Sequence, residues 1–288
     1  MPSPSLPVER ARPLLGTTVK IRVEGLPESR VHAAIDTAFA AVARVQARMS
    51  FHSGDSDVAR LNRAAAGPWI PVAAETCAVL TLAQRIARAS EGAFDPTVAA
   101  DLVRAGRLPA PADARAPDPA ARWHDIVVGD EAVRLRRPLW LDLSGIAKGY
   151  AVDRATALLG AFGAKGACVD AGGDLRIFGR PQEVVLHTGF RETRLPVVQL
   201  ADGSIAGSGG APDARHAADG QHVDGGTRNA VARGRFNCVL ADTCAVADAL
   251  TKVVLALGPA SAKALSDFAA TAYLREPDGG WHVLGEPA

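Results

Sequence analysis

Hydrophobic and polar positions follow two different periods along this chain. Val19-Lys20-Ile21-Arg22-Val23, within Arg12–Glu24, alternates apolar and charged residues, the period-two pattern of a strand with one buried face. From Val31 to Met49 the period lengthens. Val31, Ile35, Ala38, Phe39, Val42, Val45 and Met49 recur at helical spacing and make one apolar stripe. Ser50-Phe51-His52-Ser53-Gly54-Asp55-Ser56 is polar loop chemistry. A short helix is expected through Val58 to Ala65. A second, about Glu75 to Ser90, carries Val79, Leu80, Ala83 and Ile86 on one side and stops at Gly92.

Beyond it, residues 108–121 hold four prolines and many alanines, which reads as a surface loop. Ile126–Val128 and Val133–Leu135 flank Gly129-Asp130-Glu131 as a hairpin, and Pro138–Leu143 reads as another strand. Ser144 is a candidate cap for a helix from Gly145 to Leu159. Cys168–Asp170, Glu183–His187 and Val197–Leu200 read as strands, while 203–234 is polar, glycine-rich and carries no clear period. Thr243 to Leu257 is a helix with Val246, Leu250, Val253 and Leu257 inside. Thr271–Leu274 and Trp281–Leu284 close the chain as a hairpin. Strands and helices are mixed without regular βαβ alternation, so the expected class is α+β. Residues 1–288 read as a single domain, with a flexible N-terminus over 1–11.

Composition narrows the function classes. The 288 residues carry 32 Lys+Arg against 31 Asp+Glu, and this balance gives no reason to expect a nucleic-acid partner. No apolar run approaches 18 residues, so no membrane segment is expected. The first residues lack the basic and apolar regions of a signal peptide, which points to the cytoplasm, or to the periplasm if a leader was removed. Cys77, Cys168, Cys238 and Cys244 show no C-x-x-C spacing and read as buried free thiols.

Four clusters can carry chemistry. In Asp142-Leu143-Ser144-Gly145-Ile146-Ala147-Lys148-Gly149-Tyr150-Ala151-Val152-Asp153 a helix start offers free N–H groups to an anion such as a diphosphate, and Lys148 can add a point charge. The same residues also suit a plain capped helix with a surface Lys. Asp170-Ala171-Gly172-Gly173-Asp174 is either a turn or a place where backbone approaches a ligand. Asp248, with Thr251 and Lys252 at i+3 and i+4, is either a site or an ion pair on a solvated helix face. Asp95 precedes Pro96 and is therefore extended, facing a ligand or capping the next element. No G-x-S-x-G or H-E-x-x-H is present. His222, in Gln221-His222-Val223-Asp224-Gly225-Gly226, is the histidine best placed in polar, glycine-rich sequence.

In this order the clusters resemble the ApbE family, the FAD:protein FMN transferases. Leu15-Gly16-Thr17-Thr18 is similar to M-G-T-T, and Met49 to Asn62 to M-S-x-[YW]-x-x-x-S-x-x-x-x-x-N. Phe94–Val98 matches F-D-x-T-V, and Asp142–Asp153 matches D-L-[GS]-[GA]-I-A-K-G-Y-A-V-D. Ala171–Leu175 matches a-G-G-D-l, and Ala247-Asp248-Ala249 opens A-D-A-x-x-T. The resemblance implies a single ApbE-like (T-fold-like) α+β domain with mixed or antiparallel sheets and packed helices. It implies FAD as substrate, with Mg²⁺ at its diphosphate. FMN would pass to a Ser or Thr of an acceptor flavoprotein carrying a target motif, and AMP would be released. By resemblance, Ala93, Phe94, Asp95, Asp142 and Lys148 line the FAD site. Gly172, Gly173 and Asp174 shape the nucleotide pocket, and Leu15 and His52 stand where the family has Met and a stacking aromatic. Asp248 and His222 fall at catalytic positions, and the Gly145 carbonyl and the Asp248 carboxylate are the implied metal ligands.

Departures from the pattern bear on the mechanism. The family's Thr or Ser four residues after the Asp is here Lys252, and an ammonium has only donors to offer. Either the Lys252 ammonium stands where the metal would, paired with Asp248, or Thr251 ligates a metal and Lys252 points aside. The first is expected, because i+4 is the position that the family aims at the site. T-S-G-[DN]-Y is here Gly207-Ser208-Gly209-Gly210. H-I-x-D-P-x-T-G is here His222-Val223-Asp224-Gly225-Gly226-Thr227, one residue short and lacking Pro. Two functions remain open: a transferase working without bound metal, and an FAD-binding protein that has lost transfer and serves as carrier or accessory subunit.

Overall fold

The computed structural model describes residues 6–191, 195–209 and 222–285. In chain order they form β1 (Val8–Leu14), β2 (Thr17–Glu24), α1 (Glu28–Met49), α2 (Asp57–Arg63), β3 (Trp69–Pro71), α3 (Ala74–Ala89) and α4 (Ala99–Arg104). Next come β4 (Ile126–Val128), β5 (Ala132–Leu135), α5 (Ser144–Ala161), β6 (Gly166–Ala171), β7 (Leu175–Phe178), β8 (Gln182–Val185) and β9 (Val197–Leu200). The last are β10 (Gly203–Gly209), β11 (Phe236–Ala241), α6 (Cys244–Leu257), α7 (Ala262–Ser266), β12 (Thr271–Arg275) and β13 (Trp281–Leu284).

The main sheet is antiparallel in the order β1-β2-β6-β7-β10-β11-β12-β13, which makes the architecture α+β. Its strands alternate faces, as the period of two requires. Val19, Ile21, Val169, Ala171, Ala206 and Val239 join the large core under α1, α5 and α6. The intervening Leu175, Ile177, Ile205, Phe236 and Cys238 form a second, smaller core on the opposite face, where Leu186 and Leu200 beside the β8–β9 hairpin cover them. α1 forms because its stripe buries Val31, Ile35, Phe39, Val42 and Val45. Cys244–Ser266 is long and apolar enough by composition to cross a bilayer, but most of it is buried as a core helix of this fold.

Three expectations change. β1 starts at Val8, so Val8–Ala11 are strand and not part of a flexible N-terminus. It is an edge strand, exposed at most positions, and so carries no apolar alternation. Pro138–Leu143 joins no sheet. Its alternate residues Leu139, Leu141 and Leu143 are buried, but a side chain replaces the neighbouring strand: Asn62 Oδ1 accepts from Leu141 N at 2.7 Å and Asn62 Nδ2 donates to Leu141 O at 3.1 Å. Ser144 is the first residue of α5 rather than its cap. Within 203–234, β10 is a regular strand; Gly210 and Gln221 lie outside the described residues.

Candidate active site

The Asp142–Asp153 block is built by four polar or small residues with separate tasks. Asp142 sits before α5, and its carboxylate accepts from Ser144 N at 2.9 Å and Ser144 Oγ at 2.7 Å. It thereby satisfies the helix start with its own charge. Lys148, one turn on, projects to an ion pair with Asp174 at 2.8 Å. Gly149 lies against α6 so closely that a Cβ there would stand 2.2 Å from Cys244 O. That contact lets Gly149 N donate to Asp248 Oδ2 at 3.1 Å. Asp153 accepts from Cys244 N and Ala245 N, both at 2.9 Å, and so caps α6.

These contacts set α5 and α6 side by side at one end of a cavity of about 940 Å³, near the upper end of the ligand-site range. Ala93, Phe94, Asp95, Asp142, Gly145, Lys148, Gly172, Gly173, His222 and Lys252 all line it, together with the sheet face carrying Leu175, Ile177 and Phe236. Asp174 lies behind Lys148. Gly172 and Gly173 have φ of +72° and +101°, and a Cβ on Gly172 would meet Thr17 Oγ1 at 2.4 Å. The paired glycines are thus required by the turn and by its approach to β2. Leu15 and His52 do not line the cavity. Leu15 occupies the β1–β2 turn at φ +56°, donating its N–H to Gln46 Oε1 at 2.6 Å, and His52 is exposed.

Asp248 overturns the solvated-face reading: it is 0% exposed. α6 is apolar nearly all round, and Ala245, Ala247 and Ala249 admit neighbours on every side. Lys252 Nζ donates to Asp248 Oδ1 at 2.5 Å and to the Asp248 carbonyl at 3.0 Å. Its Cε would lie 3.3 Å from a Cβ on Gly145. The ammonium is thus held on Asp248, and its side chain passes beside Gly145, the other residue implied as a metal ligand. Thr251 does not point into the site. Its hydroxyl donates to Asp248 O at 2.6 Å and lies 2.8 Å from Ser208 Oγ, and the residue is fully buried. This corrects the reading of Thr251 as a ligand. A divalent cation takes oxygen donors, and here both Asp248 oxygens are already hydrogen-bonded, one of them to a cation. Among the described residues no group of three or more His, Cys, Asp or Glu is arranged to hold a metal. The donor set does not fit Mg²⁺.

Electrostatics follow from burial. Burial opposes the Lys148 charge, but Asp174 and Asp248 outweigh it and hold its pKa above the usual lysine range. Burial, aided by Asp248, pushes the Asp174 carboxyl up. Burial also raises Asp142, against the Ser144 hydrogen bonds. His222 is lowered to about 4, first by burial and then by the Lys252 charge. Its imidazole is neutral at pH 7. Burial pushes the Cys168 and Cys238 thiols up to about 12, which leaves them poor nucleophiles.

Asn62, Asp153 and Arg228 were not singled out from sequence. Only the motif positions of Asn62 and Asp153 gave a signal. Arg228 is bonded to Asp95, 133 positions away, which no local pattern reveals.

A sequence model described as the ApbE family matches residues 15–274. Among curated relatives, the FAD:protein FMN transferase of Treponema pallidum is 30% identical over 187 residues, covering 59% of this chain and 51% of that protein. That of Rhodobacter capsulatus is 28% identical over 217 residues, covering 68% and 40%. The chain spans about half the length of the curated relatives it matches. The Pseudomonas stutzeri flavinyl transferase ApbE, in its apo form, superposes with a TM-score of 0.84 at 20% identity, covering 99% of this chain and 96% of that one. The ApbE protein of Thermotoga maritima superposes at 0.80 with 25% identity, covering 98% and 97%.

Proposed function

The chain belongs to the ApbE family, and from that membership we propose that it is an FAD:protein FMN transferase in which the Lys252 ammonium takes the place of a metal ion. The observation that carries the reading is the convergence of Lys148 and Lys252, from α5 and α6, on one cavity of ligand size. Two of the three Lys252 N–H donors are held by Asp248; the third is left for a phosphate oxygen. Lys148, anchored on Asp174, supplies the second positive charge.

Phosphoryl transfer depends on positioning and charge neutralisation more than on covalent help from the protein. The hydroxyl oxygen of an acceptor Ser or Thr bonds to the FMN phosphorus, and the bond from that phosphorus to the bridging oxygen breaks. AMP leaves with the bridging oxygen. His222, neutral at pH 7 and lining the cavity, accepts the hydroxyl proton. Lys148 and Lys252 neutralise the charge that builds on the leaving phosphate.

The test is incubation with FAD and an acceptor flavoprotein bearing the Ser/Thr target motif, in EDTA. Mass spectrometry should find FMN added to the acceptor, with one AMP released per FMN. Transfer that appears only when Mg²⁺ is supplied would reject the role of Lys252. The loss of a metal-ligating side chain at position 252 also favours a second reading, an FAD carrier. FAD bound tightly, with neither FMN adduct nor AMP under any condition, would establish that one instead.

A further inference from the structure

The segment 222–231 brings His222 to the cavity as a small turn closed by its own hydrogen bonds, among them Val231 N to His222 O at 3.0 Å and Arg228 N to Asp224 O at 2.7 Å. Val223 bridges Ala230, and Asp224 N donates to Asn229 O at 2.9 Å. The turn as a whole is tied to the Ala93–Asp95 wall. Gly225 N donates to Ala93 O at 2.9 Å, and Gly225 packs so close that a Cβ would stand 2.4 Å from Gly92 O and 2.5 Å from Asp95 Cβ. Arg228 then reaches across the same wall. Its Nη2 lies 2.7 Å from Asp95 Oδ2 and 2.9 Å from Thr97 Oγ1, and its Nη1 lies 3.3 Å from Asp101 Oδ2. The Asp95 side chain is 0% exposed and that of Arg228 13%.

Asp95 therefore lines the cavity with a carboxylate that is already committed. Oδ1 accepts from Thr97 N and Thr97 Oγ1, both at 2.8 Å, and Oδ2 accepts from Trp123 N at 3.2 Å as well as from Arg228. Arg228 holds φ +60°, a left-handed conformation natural to glycine and unfavourable for a side chain with a Cβ. In the family pattern quoted above, glycine follows the Thr; here Arg228 follows Thr227. A strained backbone is kept where surrounding contacts over-determine it; here these are the turn bond from Arg228 N to Asp224 O at 2.7 Å and the ion pairs to Asp95 and Asp101.

We propose that Arg228 is a positioning residue: its ion pairs latch the 222–231 loop onto the Ala93–Asp95 wall and so fix His222 over the cavity. The consequence for rate rests on the transferase reading; the latch itself does not. Asp95 belongs to the same latch and acts on the substrate through the loop it holds.

Arg228→Gly separates the latch from backbone strain. Glycine accepts φ +60° freely, so a purely conformational role predicts no loss. The latch predicts that hydrogen exchange of the Gly225 and Val231 amides, followed by mass spectrometry, speeds up by about tenfold or more. His222 should then titrate, by NMR, above its value of about 4 and toward the ordinary 6.5. Transfer kcat should fall about tenfold or more, while the FAD Kd and the acceptor KM change by less than about threefold. Arg228→Lys, which keeps one ion pair, should lie between. Unchanged exchange in Arg228→Gly would overturn the latch. Faster exchange with unchanged His222 titration and kcat would overturn its positioning of His222. If the wild-type chain shows no transfer, the transferase reading fails, and exchange and His222 titration still decide the latch.

Discussion

Lys252→Thr puts a hydroxyl at the fourth position after Asp248 and removes the ammonium that now neutralises it. Asp248 is 0% exposed, and after the change one carboxylate oxygen keeps only the Gly149 N–H at 3.1 Å. Breaking a buried ion pair from one side costs about 3–5 kcal/mol, because the remaining charge stays desolvated and unpaired. The Lys252 side chain is 19% exposed, so water can reach the gap, and the lower figure, about 3 kcal/mol, is the better expectation. At about 2–4 °C per kcal/mol for a chain of this size, the melting temperature in EDTA should fall by about 6–12 °C. With Lys252 gone, Asp248, the new hydroxyl and the Gly145 region present oxygen donors alone, and Mg²⁺ accepts such a set. Mg²⁺ at a hundred times its Kd would return about 2.7 kcal/mol, nearly the whole loss. The assay is thermal unfolding of both proteins, in EDTA and across a Mg²⁺ series. The wild-type curve should not move, because a tethered cation already fills the position. A wild-type melting temperature that climbs with Mg²⁺ as the variant's does would refute the reasoning, as would a variant that loses nothing in EDTA.

Three further outcomes are expected. His222 titrates at about 4 when folded and near 6.5 when unfolded; between those values the unfolded chain binds the extra proton. Stability is therefore full above about pH 6.5 and declines as pH falls toward 4, by at most about 3 kcal/mol and, for a half-buried ring, nearer 1. Urea unfolding of wild type and His222→Asn at pH 7 and 4.5 should show that decline in the wild type alone. Gly149→Ala forces a Cβ to within 2.2 Å of Cys244 O, so backbone must move, and about 1–3 kcal/mol should be lost; a melting temperature equal to wild type would contradict the α5–α6 contact. Lys148→Met strands Asp174, whose side chain is 2% exposed, at about 3–5 kcal/mol, and should weaken FAD binding by about tenfold or more, read by flavin fluorescence. Adding Asp174→Leu should restore stability but not affinity; recovery of both would remove Lys148 from the phosphate site.

What the sequence disclosed depended on how local each cause is. The α1 and α3 stripes lie within single helices and read directly, as do the hairpins β4–β5 and β12–β13. The Asp142–Asp153 block was legible as a motif, but not the division of labour inside it. Gly149 matters through Cys244 and Asp153 through the start of α6, contacts some 90 positions away. β1 was missed because an exposed edge strand buries nothing that would leave a period. Pro138–Leu143 looked like a strand because alternate leucines are buried, yet no strand pairs with it: the Asn62 side chain bonds its middle, and Asp118 N and Pro96 O bond Pro138 and Asp142. Local pattern left Asp248 open between a site and a solvated ion pair for a related reason: a charge among alanines looks solvated until the neighbouring helix is known to lie against those alanines.

On the proposed reading, a tethered ammonium acts at this position. A metal ion held by oxygen donors from two helices would also bind those helices together. Lys252 cannot: its charge is tethered to α6, and its bonds go to Asp248 of the same helix. The spacing between the Lys148 and Lys252 charges must then come from the protein itself. Two contacts supply it. Gly149 lets the helices meet backbone to backbone and donates to Asp248 from α5. Asp153, also on α5, holds the first two N–H groups of α6 while pairing with Arg176 of β7 at 2.7 Å. Each fixes α6 against α5 along a different direction, so the two positive charges keep one separation whether or not an anion lies between them. That is the preorganisation that charge stabilisation of a transferring phosphoryl group requires. On the proposed reading, the burden of the chemistry falls on the helix contact rather than on an exchangeable ion.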